Sequence, residues 1–257
     1  MSKAPYREAS YRSQAHVDFA PPDWWRPHAA HAHLLTATRD TVKRYGAAPF
    51  MTWLDDKGKE EKTLSFDGLW ERSRVLARKM SDDWGVETGD RVLLCYLPGL
   101  AFVEAFWACL RLRCVAVPTY PPDPSKLVLG IKKLDLVKRS CGATLCLTEK
   151  ALDQMRRALS LTHRWPEGLV WKSTDREFRV QSGENDAPLD NESVAFLQYT
   201  SGSTGDPKGV MLTYANVWHN LNEMYLPAQA QHFESRGVDL SRERIVGVSW
   251  LPQFHDT

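Results

Sequence analysis

The chain has 257 residues, enough for one large domain or two smaller ones with a sizeable buried core. An apolar share of 43% and a charged share of 25% are ordinary for a soluble globular protein. The net charge of +1 leaves no electrostatic footprint for nucleic acid.

The opening residues Met1-Ser2-Lys3-Ala4-Pro5 lack the apolar core of a secretory signal. Residues 1–30 read as an irregular arm, rich in proline around Pro21-Pro22, with Trp24 and Trp25 expected to pin it to the body. Apolar spacing then predicts an amphipathic helix over 31–45, a hairpin of strands 50–54 and 63–66, and a helix from Phe66 to Trp84 that Gly85 stops. Strands at 91–97, 114–120, 143–148 and 169–172 alternate with helices at 101–113, 125–140 and 150–162. That alternation implies a parallel sheet with helices on its faces. The apolar run from Val92 to Leu110 is interrupted by Pro98-Gly99 and by Glu104, so it reads as strand, turn and core helix, with no transmembrane segment. The polar stretch 175–191 reads as a surface connection between two subdomains, 31–190 and 191–257. Past it come strand-like 194–199 and 210–212, a helix capped by Thr213 with Val217, Trp218, Leu221, Met224 and Tyr225 on its apolar face, and a last strand at 245–251.

Lys126, Lys132, Lys133, Lys138 and Arg139 cluster, but Asp123 and Asp135 dilute them, as on a solvated helix face. The five cysteines include two Cys-x4-Cys spacings, yet Cys95, Cys109 and Cys146 sit in apolar runs. Free buried thiols in a reducing, cytoplasmic compartment are the expectation.

The most informative segment is Thr200-Ser201-Gly202-Ser203-Thr204-Gly205-Asp206-Pro207-Lys208-Gly209, flanked on both sides by apolar strand-like runs. Glycines let backbone N–H groups approach an anion closely, hydroxyls add donors, and lysine brings one compact charge; together they suit a polyphosphate. A flexible Gly/Ser linker has similar composition, but linkers do not sit between two strands. The segment is not a Walker A loop: Lys208 lies three residues past Gly205, Pro207 intervenes, and a strand follows.

Residues 199–209, with Val210-Met211-Leu212-Thr213 following, resemble the phosphate loop of the adenylate-forming (AMP-binding) superfamily. Acyl-CoA synthetases, fatty acyl-AMP ligases, luciferases and peptide synthetase adenylation domains belong to it. Phe196-Leu197-Gln198-Tyr199, Val117-Pro118-Thr119-Tyr120-Pro121-Pro122 and Trp250-Leu251-Pro252-Gln253-Phe254-His255-Asp256 are most similar to fatty acyl-AMP ligases. The likeness runs from about Leu34 to the last residue.

The resemblance implies an α/β fold of layered sheets with flanking helices, the N-terminal part of the large domain of an adenylate-forming enzyme. It implies ATP-dependent conversion of a fatty acid to acyl-AMP, with pyrophosphate released and Mg2+ assisting. The acyl group would pass to coenzyme A or to phosphopantetheine on an acyl carrier protein or polyketide synthase module. Carried over by position, Thr200, Ser201, Gly202, Ser203, Thr204, Gly205 and Lys208 hold the β- and γ-phosphates, and Thr200 is the candidate Mg2+ contact. His255 is expected beside the reacting carboxylate, though Gln253 stands where relatives often carry an apolar residue. The adenine-binding segment, the metal-binding glutamate, the ribose-binding aspartate, the hinge and the small C-terminal domain would all come after residue 257, so the chain corresponds to the first half of such an enzyme. A non-catalytic nucleotide- or acyl-binding module and an inactive truncated fragment are the competing readings.

Overall fold

The computed structural model describes residues 33–175, 190–200, 207–225, 231–233, 235–237 and 247–249. The arm 1–30 with Trp24 and Trp25 lies outside these residues. Helix α1, Leu34–Tyr45, starts where His33 turns extended and its Nδ1 accepts the Leu35 N–H at 3.1 Å. Strands β1, Pro49–Leu54, and β2, Glu60–Ser65, pair antiparallel as a separate hairpin. Ser65 then caps α2, Phe66–Trp84, which Gly85 ends in the left-handed conformation (φ 66°).

The next elements alternate as the spacing predicts: β3 Arg91–Cys95, α3 Leu100–Leu112, β4 Val115–Thr119, α4 Leu127–Cys141, β5 Leu145–Thr148, α5 Lys150–Leu159 and β6 Val170–Ser173. A short 3-10 turn, Pro124–Lys126, leads into α4, because prolines at 121, 122 and 124 cannot supply helical N–H donors. After residue 190 come β7 Val194–Thr200, β8 Lys208–Thr213 and α6 Tyr214–His219.

The six-stranded sheet runs β6-β5-β3-β4-β7-β8, parallel except for β8. The strands on either side of the stretch 175–191 therefore share one sheet, β4 beside β7. Strand alternation sorts the core into two layers. Val92, Leu94, Ala116 and Leu147 pack with α2 and α3, whereas Leu93, Cys95, Val117 and Cys146 pack with α4 and α5. All five cysteines are buried and free, as the sequence leads one to expect. Burial raises the thiols of Cys114, Cys141 and Cys146 above the usual range.

Helix α3 is nearly all apolar and carries two buried charges. Glu104 pairs with Arg72 Nε at 2.7 Å, and Arg111 stacks its guanidinium 3.9 Å from the Trp70 ring while donating to the Trp70 carbonyl at 2.7 Å. Both are partnered, as charges in an interior must be. Among the described residues no helix is long and apolar enough to cross a membrane.

Two expectations need correction. The helix after Thr213 is α-helical only to His219 and continues as a π segment, Asn220–Tyr225, whose wider turn leaves Asn222 buried beside Leu221. Of the strand expected at 245–251, residues 247–249 carry no strand and are exposed, with Val248 78% accessible; residues 245, 246, 250 and 251 lie outside the described residues.

Candidate functional site at the neck of the phosphate loop

The place of the loop follows from the register of the β7–β8 hairpin. Thr200 stands opposite Lys208 as the last pair of the ladder, so residues 201–207 connect the two. Opposed residues carry their side chains on the same face with Cβ atoms about 5 Å apart, which puts the Thr200 and Lys208 side chains on one face of the hairpin. Both are exposed. Ser201, Gly202, Ser203, Thr204 and Gly205 lie outside the described residues, as do Asp206 and His255. The structure thus brings together two of the sequence-derived site residues, Thr200 and Lys208.

One pair further from the loop, Tyr199 stands opposite Gly209. A Cβ at Gly209 would come within 2.9 Å of the Tyr199 ring, so glycine there lets the ring lie flat over the neighbouring strand. The Tyr199 hydroxyl donates to Ser140 Oγ at 2.8 Å on α4. Burial pushes this phenol above its ordinary range.

The ladder between β4 and β7 consists of one bridge, Ala116↔Phe196. Beyond it, the carboxyl ends of both strands border a cavity of about 610 Å³. Pro118 lies in this part of β4 and has no N–H to extend a ladder. The connections leaving β3 and β4 run to opposite sides of the sheet, and the carboxyl ends of such strands are where open α/β sheets take ligands.

Three walls enclose the cavity. Phe102, Val103 and Phe106 come from α3, joined by Phe196, whose ring sits 5.5 Å from Phe106. Gly130, Lys133, Leu134 and Val137 come from α4, at the spacing that keeps one helix face turned inward. Pro118 to Pro121 and Gln198 to Thr200 close the sheet end, and Pro207 also lines the space. Thr200 and Pro207, which flank residues 201–206 in the chain, both line the cavity. Its lining among the described residues holds one cation, Lys133, and no carboxylate.

The spacing of α4 assigns Lys133 to the solvated face; the structure keeps it exposed but turns it to the cavity rim. Phe102, Phe106 and Thr119 are functional candidates that sequence reasoning did not single out. The available signal was the proline break after Tyr120, which forces the chain off the sheet beside the site. His163 bonds Thr162 Oγ1 at 2.8 Å and His219 lies exposed at the end of α6; neither lines the cavity.

A Mg2+ ion takes oxygen ligands, usually one or two carboxylates beside phosphates and waters. Thr200 offers one neutral oxygen, and among the described residues no group of three or more His, Cys, Asp or Glu could hold a metal. That donor set does not make a Mg2+ site by itself.

The comparisons with known proteins agree with this geometry. The medium-chain fatty acid–acyl-carrier-protein ligase JamA of Moorena producens is 30% identical over 207 residues, covering 80% of this chain and 33% of that protein. The crystal structure of a fatty acid AMP ligase from Legionella pneumophila superposes with a TM-score of 0.72 at 27% identity, over 90% of this chain and 37% of that one. A fatty acyl-adenylate ligase from the same organism, in complex with acyl adenylate and pyrophosphate, gives 0.65 at 28% identity over 77% of this chain and 33% of that one. The match thus spans about a third of the length of these relatives. The family model for the AMP-binding enzyme matches residues 38–257, which takes in the whole six-stranded sheet, the cavity and the loop between Thr200 and Lys208. With that match the chain belongs to the AMP-binding enzyme family.

Proposed function

We propose that the polypeptide carrying this chain activates a fatty acid as its acyl-adenylate. A carboxylate oxygen of the acid attacks the α-phosphorus of ATP, an acyl–phosphate bond forms, the α–β phosphoanhydride breaks and pyrophosphate leaves. No side-chain nucleophile is required. The protein's task is to align the two reactants and to stabilise charge on the departing phosphates. In this reading residues 200–205 and Lys208 hold the β- and γ-phosphates, and His255 stands near the reacting carboxylate.

The observation that carries the proposal is the largely apolar cavity whose lining includes Thr200 and Pro207, the residues on either side of 201–206. An apolar chain seated between Phe102, Phe106 and Phe196 would present its polar end toward those residues. The acyl group then passes to a thiol, with a carrier-protein phosphopantetheine favoured over coenzyme A because JamA is a ligase of that kind.

Fatty-acid-dependent exchange of labelled pyrophosphate into ATP tests this on the intact polypeptide. Lys208→Ala should lower the exchange about 100-fold or more, the scale of removing a group that stabilises transition-state charge. ATP binding without any exchange, whatever the acid supplied, would instead favour a non-catalytic binding module.

A further inference from the structure

We propose that Lys133 is the carboxylate receptor of the cavity, the residue that selects an ionised acid over a neutral chain of equal length. The inference rests on the acyl reading above and gives it a determinant outside the phosphate loop. Three observations lead there.

The first is the sign of the lining: apolar walls, one cation, no carboxylate among the described residues. The second is the state of the other polar groups: the Tyr199 hydroxyl is engaged with Ser140, the Thr119 hydroxyl is directed to the Leu94 carbonyl at 3.5 Å, and Tyr120, Gln198 and Thr200 bring no charge. The third is that Lys133 makes no ion pair with any described residue, although Arg139 on the same helix is paired with Asp135.

A carboxylate entering an apolar space loses hydration, and that loss is smaller where a cation is at hand. A fatty alcohol or ester loses no charge and gains nothing from the lysine. Lys133 lies between Gly130 and Val137 on the face of α4 that lines the cavity, and its flexible stem lets the ammonium lean toward a head group held there. The contact is made with the ionised acid as it binds, and attack on the α-phosphorus removes that charge, so the lysine serves binding and not the chemical step.

Dodecanoate-dependent pyrophosphate exchange, together with direct binding of dodecanoate and dodecanol, tests this on the intact polypeptide. Lys133→Met should raise KM for dodecanoate about tenfold, the scale of one hydrogen bond to a charged group, without lowering kcat. Lys133→Arg should restore most of the loss, and dodecanol binding should not change. Lys133 is exposed, so these variants keep the fold. Unaltered dodecanoate affinity in Lys133→Met overturns the assignment, as does a weaker ATP affinity with dodecanoate unaffected, which would make the lysine a phosphate ligand. If neither amphiphile binds the unmodified protein and no acid supports exchange, the acyl reading itself falls and takes this assignment with it.

Discussion

At the residue scale, the positions that shape the site are those where one atom more or less decides the backbone's path. Gly130 sits in the middle of α4, where alanine would ordinarily stabilise a helix by up to about 1 kcal/mol. A Cβ there would stand 2.7 Å from Pro122 Cα and 2.8 Å from Pro122 Cβ, closer than packed atoms tolerate. Pro122 belongs to the segment that leaves β4 and lines the cavity through Pro121, and its backbone cannot swing aside as a flexible side chain could. The clash should therefore outweigh the propensity gain. Gly130→Ala is expected to lose about 1–3 kcal/mol, as overpacked core sites do, read as a lower thermal or urea midpoint. An unchanged or higher midpoint would mean that the approach of Pro122 is loose. The sequence shows this glycine only as a flaw in a helical pattern; that it marks a helix–loop contact depends on a residue eight positions earlier in an irregular stretch.

At the scale of elements, local signals were legible where the governing atoms are near in sequence. Thr213 is read from the sequence as a helix cap, and its hydroxyl accepts the Asn216 N–H at 3.1 Å while Asn216 Oδ1 accepts the Thr213 N–H at 3.0 Å. This reciprocal box ends β8 and starts α6 within one residue, fixing the root of the hairpin that carries Lys208. Thr213→Ala should cost about 1 kcal/mol in urea unfolding, and Thr213→Ser should recover most of it. A loss no larger than a few tenths in Thr213→Ala would show that the strand alone holds the turn. The π segment just beyond was not legible. Val217, Trp218 and Leu221 fit a regular helix and do pack in the core, so their spacing gives no sign that the turn widens after His219. What it accompanies is the burial of Asn222, a polar residue that apolar periodicity cannot register.

At the scale of the whole molecule, the alternation of strands and helices is written in the sequence, but the order of strands is not. Nothing local to residues 194–200 says that they lie beside β4, because the pairing joins residues far apart in the chain. The structure fastens this junction through Arg113, the residue after α3, which adopts the left-handed conformation (φ 57°) usually left to glycine. Its guanidinium is bonded to Asp190 Oδ2 at 3.1 Å and to Ser193 Oγ, immediately before β7. Around it, His33 stacks on Tyr214 at 4.9 Å and the Tyr214 hydroxyl donates to the Leu110 carbonyl at 2.6 Å. Burial first and the Arg113 charge second hold the His33 imidazole below its ordinary range, which keeps the cap of α1 neutral at physiological pH. Replacing Arg113 separates the tether from the backbone strain. Both Arg113→Ala and Arg113→Gly lose the contacts to Asp190 and Ser193, but only alanine retains a left-handed cost of about 1 kcal/mol. The alanine variant should therefore be the less stable of the two by that amount. In both, hydrogen exchange across β7 should quicken while that of β3 and β5, on the far side of β4, stays slow. Equal stability of the two variants would remove the strain argument. Unchanged exchange in β7 would mean that the bridge to β4 and the ladder to β8 suffice to hold the strand that ends at Thr200.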